Sequence, residues 1–239
     1  MERLERGLNN NQLKIIAMIA MCLDHVGLYL FPDVVWFRMV GRLAFPVFAY
    51  MIAEGCRHTK HRGRYLAQLF GLGLVCQVVF FVATREWHLG ILITFSLAVA
   101  LIYAIDFYRE RKNLQRFSLM LAMALVVAFL SVVAPVWFGE RGYGLDYELY
   151  GVLLPVLVYF CSTKLEKLFA AAAVLLVMCA IDGGVHWFSM LALPLLFLYD
   201  GRRGRVKMKY VFYVFYPLHL AAIYLIGEWV RTGNPFGGF

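Results

Sequence analysis

Long apolar segments alternate with short polar ones along the whole chain, and this pattern predicts helices that cross a membrane. A spanning helix needs about 20 mostly apolar residues, with a range of about 17–25. The segments that approach this length are Leu13–Phe31, Val34–Ala53, Tyr65–Ala83, Leu89–Ile105, Phe117–Phe138, Leu149–Cys161, Leu168–Ile181, Trp187–Tyr199 and Tyr210–Val230. The sixth, seventh and eighth are short, and we expect half-helices or slightly different boundaries there. The predicted fold class is therefore all-α, a polytopic bundle of about nine transmembrane helices in a single domain, residues 1–239.

The positions of lysine and arginine predict the orientation of this bundle. Cytosolic loops carry an excess of these residues. If the N-terminus is cytosolic and nine helices alternate, the inside segments hold Arg3, Arg6, Lys14, Arg57, Lys60, Arg62, Arg64, Arg109, Arg111, Lys112, Arg116, Lys164, Lys167, Arg202, Arg203, Arg205, Lys207 and Lys209. The outer side holds Arg38, Arg42, Arg85, Arg141 and Arg231. Because the asymmetry repeats at every loop, it supports nine crossings with a cytosolic N-terminus.

Composition excludes several other classes of protein. Of the 239 residues, 62% are hydrophobic and 16% are charged, whereas soluble domains are about half apolar and a quarter charged. The net charge of +8 follows from the cytosolic loops, so we expect no nucleic-acid partner. The five cysteines include no Cys-x-x-Cys pair, and we expect neither a disulfide framework nor a metal. Asp24 and His25 interrupt the first apolar segment, so it is predicted to be a helix of the bundle rather than a signal peptide.

Polar residues inside the apolar segments are the candidate functional residues, because a charge at a helix centre costs about 2.5–3.5 kcal/mol on insertion scales. Lys14 and His25 are eleven residues apart, close to three helical turns, so they share one face about 16 Å apart. A purely structural interpretation is that Lys14 extends to the membrane surface and His25 forms a hydrogen bond within the bundle. Both interpretations remain open for this pair.

The second and last segments carry further candidates. Arg38 and Arg42 are spaced i, i+4 and face one way; they are either interfacial anchors or, for the deeper Arg42, part of a site. In the last segment Tyr216 and His219 flank Pro217, which removes a backbone hydrogen bond and is expected to open the helix. Glu54 lies near the inner end of the second segment. Asp182 and His186 bracket an outer turn, and we expect them to be structural.

Three stretches of sequence resemble the TraX family of integral membrane proteins. They are LKIIAMIAMCLDHVG (Leu13–Gly27), VGRLAFPVFAY (Val40–Tyr50) with Ala53–Gly55 and His58-Thr59 after it, and KYVFYVFYPLHL (Lys209–Leu220). The resemblance extends from the first helix to the last. Two positions depart from the family pattern: Gly90 stands where an asparagine is expected, and Asp146-Tyr147-Glu148 stands where Asp-Tyr-Gly is expected.

The resemblance implies an acetyl-CoA-dependent acyltransferase of the bacterial inner membrane, since the family's namesake is implicated in acetylating the N-terminus of pilin. The Lys14…His25 spacing also resembles the basic-x10-His pattern of the wider membrane acyltransferases, in which the histidine is the catalytic candidate. The expected partners are membrane lipids and an acceptor, which is either pilin or an envelope glycan or lipid.

Roles for individual residues follow from what acyl transfer requires. His25 is the predicted general base, and Asp24, about 100° round the helix, is expected to pair elsewhere, with Arg42. His219 or Tyr216 is predicted to supply an oxyanion donor or to orient the acceptor. The phosphates of CoA are predicted to bind Lys14, Arg57, Arg62 and Arg64, unless this loop carries only the positive charge typical of cytosolic loops.

Two other classes of function remain open at this point. One is a proton-coupled secondary transporter, in which the buried histidine and aspartate relay protons. An odd number of helices and the lack of visible repeats count against it. The other is a non-catalytic assembly factor for pili or the envelope.

Overall fold

The computed structural model describes residues 7–204 and 208–232. Arg3, Arg6, Arg205 and Lys207 of the charge pattern lie outside the described residues. The helices are α1 (Asn10–Tyr29), α2 (Val35–Gly41), α3 (Ala44–His58), α4 (Arg62–Thr84), α5 (Ile91–Glu110), α6 (Leu114–Ala128), α7 (Ala134–Phe138), α8 (Glu148–Phe160), α9 (Lys164–Asp182), α10 (Ala192–Phe197) and α11 (Lys209–Thr232). A π-helix (Phe129–Val133) joins α6 to α7, and 3-10 helices cover Gly139–Arg141 and Gly184–Leu191. Two short strands, β1 (His88–Leu89) and β2 (Gly144–Leu145), pair in parallel.

The expectation of a nearly all-α protein is confirmed. Among the described residues, six helical segments are long and apolar enough to cross a membrane: Asn10–Tyr29, Val35–His58, Arg62–Val82, Ile91–Glu110, Leu114–Phe138 and Val211–Val230. The sixth to eighth predicted segments are helical as well, but Glu148–Phe160 and Gly184–Phe197 are shorter, and α9 carries charged residues at both ends. The count of nine crossings, the cytosolic N-terminus and the single domain stay predictions.

The chain forms two compact units. Unit 1 contains the described residues up to Met51 and those from Ala171 onward, and unit 2 is Ile52–Ala170.

In unit 1, α1 begins at a capping box and packs closely against α2. The Asn9 side chain accepts hydrogen bonds from the N–H groups of Asn11 and Gln12, and the Gln12 side chain accepts one from Asn9 N–H, so three orphan donors are satisfied. Gly41 of α2 allows the close approach: a Cβ there would lie 2.3 Å from Cβ of Asp24. Any larger residue would push α2 away from the polar side chains of α1.

Unit 2 contains a local irregularity whose cause is visible in the sequence. Pro135 has no N–H, and the N–H of Ala134 bonds to the first carbonyl of the π-helix Phe129–Val133, so the Leu130 carbonyl has no helical donor of the usual kind. The hydroxyl of Tyr143 donates to this carbonyl at 2.8 Å. A side chain from the following loop therefore stabilises the change of helical pitch.

Candidate functional site

The two polar neighbours of α1, Asp24 and His25, make different contacts within unit 1. Arg42 Nη2 lies 3.0 Å from Asp24 Oδ1, and Arg38 Nη1 lies 2.9 Å from Asp24 Oδ2. The expected ion pair of Asp24 with Arg42 is therefore present, and Arg38 joins it. Arg42 is buried, with 6% of its surface exposed. One carboxylate thus bridges two guanidinium groups, which is an arrangement that compensates charges away from water.

His25 meets His219, the second histidine predicted from the sequence. Nδ1 of His25 lies 3.2 Å from Nε2 of His219, and Nδ1 of His219 lies 2.9 Å from the carbonyl oxygen of Phe215. A carbonyl only accepts, so Nδ1 of neutral His219 carries the proton and Nε2 carries the lone pair. Nδ1–H of His25 then donates to His219, and in the neutral form of His25 the lone pair that a general base needs is on Nε2.

Aromatic side chains hold His219 in place. The ring of Phe215 stacks on that of His219 with centroids 4.7 Å apart, and the ring of Tyr216 meets it edge-on at 5.6 Å. Both Tyr216 and His219 are buried. The helix α11 continues through Pro217, so the expectation that Pro217 opens the helix is wrong. His219 is thus fixed by helix packing, and it can orient the imidazole of His25.

The predicted phosphate-binding residues are distributed over both units. Lys14 lies half-buried on α1 in unit 1, whereas Arg57, Arg62 and Arg64 lie in unit 2. The guanidinium of Arg57 donates to the carbonyls of Tyr159 and Cys161 at the end of α8. A cation at this position satisfies orphan carbonyls and complements the helix dipole, so its contacts explain Arg57 without a ligand.

The other two arginines differ in their surroundings. Arg62 Nη2 lies 2.8 Å from Asp106 Oδ2, which also accepts a hydrogen bond from the Tyr159 hydroxyl at 2.6 Å. Arg64 is exposed. Of the three arginines, Arg64 is thus the one without a hydrogen bond or ion pair to another described residue. The phosphate-binding role of all three stays a prediction.

Unit 2 also contains an ion pair that sequence reasoning missed. The carboxylate of Glu54 lies 2.5 Å from Nζ of Lys167, and both side chains are largely buried. The two residues are 113 positions apart. The apolar pattern identified Glu54 as unusual, but no local signal connects it to Lys167.

A histidine–aspartate pair at the other end of unit 2 was also missed. Nε2 of His88 lies 2.8 Å from Asp146 Oδ1, while Asp146 Oδ2 accepts from the N–H of Ile91 at the start of α5. The Thr94 hydroxyl and the Gln77 amide bond to the carbonyls of Asp146 and His88, respectively. The hydrogen bond to Asp146 raises the pKa of His88 above its ordinary value. This cluster joins β1, β2 and the first turn of α5.

Comparison with known proteins gives one family. The family model described as TraX protein matches residues 9–227. The probable fimbrial assembly protein FimC, serogroup H1, of Dichelobacter nodosus is 29% identical over 247 residues, which cover 89% of this chain and 93% of that protein. Protein TraX of Escherichia coli is 26% identical over 175 residues, covering 71% of this chain and 64% of that protein. An uncharacterized protein of Rickettsia prowazekii is 53% identical over 38 residues, or 16% of this chain and 15% of that protein. No solved structure matches the chain.

Proposed function

The chain belongs to the TraX family, and from this premise we propose that it is a membrane-embedded acetyltransferase. The acetyl group moves from cytosolic acetyl-CoA to an amine, such as the N-terminus of pilin, or to a hydroxyl acceptor at the membrane or its outer face. Six helices among residues 7–204 and 208–232 are long and apolar enough to cross a membrane, and together with the family they indicate a multi-pass membrane protein. We also propose that the protein crosses the bacterial inner membrane nine times and that its N-terminus is cytosolic.

The hydrogen-bonded pair of His25 and His219 is the observation that carries this proposal. Acyl transfer requires a base whose lone pair is available and whose orientation is fixed by a second group. His25 donates to His219, and His219 donates to the carbonyl of Phe215; these two hydrogen bonds fix both the tautomer and the orientation of the base. The two histidines come from opposite ends of the chain, and both lie in stretches that resemble the family.

The proposed reaction uses the lone pair of His25 Nε2. This nitrogen takes the proton from the neutral amine or the hydroxyl of the acceptor while the acceptor atom attacks the carbonyl carbon of the acetyl thioester. The tetrahedral oxyanion then collapses, the carbon–sulfur bond breaks, and the CoA thiolate leaves and takes the proton from His25. His219 positions His25 and stabilises the imidazolium, and the hydroxyl of Tyr216 is the proposed donor to the oxyanion.

The test is acetyl transfer by purified protein in lipid nanodiscs, with acetyl-CoA as donor and a peptide with a free N-terminal amine as acceptor. His25→Ala is expected to lower turnover by about 10²–10⁴-fold, the usual contribution of a general base. Its melting temperature and monodispersity are expected to stay close to those of the wild type. His61→Ala, which removes an exposed histidine, serves as the matched control and is expected to turn over normally.

His219 requires a different readout because it acts through His25. His219→Gln is expected to lower kcat and to move the acidic limb of its pH profile, because the imidazolium of His25 loses its acceptor. If His219 had only a structural role, His219→Gln would lower the melting temperature and leave the pH profile unchanged. Near-normal turnover of His25→Ala would refute the mechanism.

A non-catalytic role in pilus assembly is the second candidate, and the name of the Dichelobacter nodosus relative favours it. A protein of this kind would release no CoA from acetyl-CoA with any acceptor. Comparison of the acyl state of pilin, envelope glycans and lipids in cells with and without the protein separates the two candidates and identifies the acceptor.

A further inference from the structure

The loop after α10 is attached to the beginning of α1 in unit 1. Backbone N–H of Leu8 donates to the carbonyl of Leu198, that of Asp200 donates to Leu8, and that of Asn10 donates to Arg202. These bonds are 2.8–3.0 Å long. The loop therefore follows the N-terminal segment into the first turn of the helix.

Contacts at the next residues bring a second cation to Lys14. Gly204 lies directly on the side chain of Asn11, since a Cβ on Gly204 would be 2.2 Å from Asn11 Cγ. Asn11 and Lys14 are three residues apart and share a face of α1. Arg203, which precedes Gly204, is the charged residue that acts electrostatically on the Lys14 ammonium. We call Lys14 and Arg203 the basic pair.

The basic pair has no counter-charge among residues 7–204 and 208–232. The one carboxylate of the loop, Asp200, is bound to the guanidinium of Arg202, and this hydrogen bond holds the pKa of Asp200 below its ordinary value. Neither Lys14 nor Arg203 forms an ion pair with a described carboxylate. Two cations held near each other repel, and a bound anion would offset that repulsion.

We propose that the basic pair binds a phosphate group of the acyl donor, so that Arg203 acts as a donor-binding residue together with Lys14. This inference rests on the proposed function. Arg offers a planar fork and Lys a point charge, and both suit phosphate oxygens. Lys14 and His25 share one face of α1 about 16 Å apart, and the extended pantetheine arm of CoA is of comparable length. A phosphate at the basic pair would therefore leave the thioester within reach of the His25 base.

The experiment compares donors that differ in their phosphates. Arg203→Gln is expected to raise the KM for acetyl-CoA about tenfold, the equivalent of about 1.4 kcal/mol, with kcat unchanged. The KM for S-acetylpantetheine, which has no phosphate, is expected to stay the same. Arg111→Gln, which removes an exposed arginine of unit 2, is the matched control and is expected to change neither constant.

Three results would overturn the inference. One is an unchanged KM for acetyl-CoA in Arg203→Gln. Another is an equal rise in KM for acetyl-CoA and for S-acetylpantetheine, which would indicate a damaged fold. The third is an effect that requires phosphatidylglycerol in the nanodisc, which would assign the basic pair to a lipid phosphate. Equilibrium binding of acetyl-CoA separates the two proposals: if the wild type binds it more tightly than Arg203→Gln but transfers no acetyl group, the proposed function fails and the basic pair stands.

Discussion

At the scale of single residues, the adjacent residues Asp24 and His25 of α1 contact different parts of unit 1. Asp24 and His25 point about 100° apart round α1. Asp24 faces the arginines of the α2 region, while His25 faces α11 and His219. The charge of the carboxylate is thus compensated by the arginines without His25, and His25 instead forms a hydrogen bond with His219.

This arrangement predicts a structural role for Asp24. Asp24→Asn is expected to lower the free energy of unfolding by about 3–5 kcal/mol, because it leaves the buried Arg42 and its neighbour Arg38 without their carboxylate. The measurement is thermal unfolding in detergent, alongside acetyl transfer. Asp33→Asn removes an exposed carboxylate of the same region and is expected to change stability by less than about 0.5 kcal/mol. If Asp24→Asn keeps its stability but loses activity, Asp24 acts in the chemistry itself.

At the scale of elements, helix ends are completed by side chains distant in sequence. Arg57 of α3 binds the carbonyls at the end of α8, and Asp146 accepts the first N–H of α5. Helix termini leave four unsatisfied backbone groups each, and such groups are costly away from water. Local sequence supplies the cap at α1, whereas these two ends depend on the fold.

The His88–Asp146 pair predicts a pH dependence of stability. The pKa of His88 is raised above 6.5 in the folded protein, so its contribution is fully present below pH 6.5 and is lost as pH rises through the raised value. The melting temperature of the wild type should therefore fall over this range relative to His88→Gln, which does not titrate. If the melting temperatures of the two proteins change with pH in parallel, the stabilising role of the His88–Asp146 pair is contradicted.

At the scale of the whole molecule, the helices match the apolar pattern, and the alternation of charge gives a testable topology. Cysteines introduced at Arg62 and Arg203, in a variant without the five native cysteines, are expected to react only with reagents that enter the cytosol. A cysteine at Arg141 is expected to react from the outside, because nine crossings separate the loops in this way. Phe239, expected outside, lies beyond the described residues.

The variant without the five native cysteines, and without any introduced cysteine, is the control and should remain unlabelled. Reaction of positions 62 and 203 from opposite sides would rule out the nine-crossing arrangement. The number of crossings between these two positions would then have to be odd.

The sequence by itself determined the helical fold class, the membrane class, the family and the residues that are unusual in their surroundings. This is possible because the spacing of hydrophobic residues and the positions of charged residues can be seen in short stretches of sequence. Tertiary structure decided which of these residues meet: His25 contacts His219 across 194 positions, and Lys167 neutralises Glu54 across 113. Helical periodicity fixes the face on which a side chain lies but not the helix that packs against that face. The partners, the histidine tautomers and the caps of α5 and α8 therefore follow from packing between distant segments.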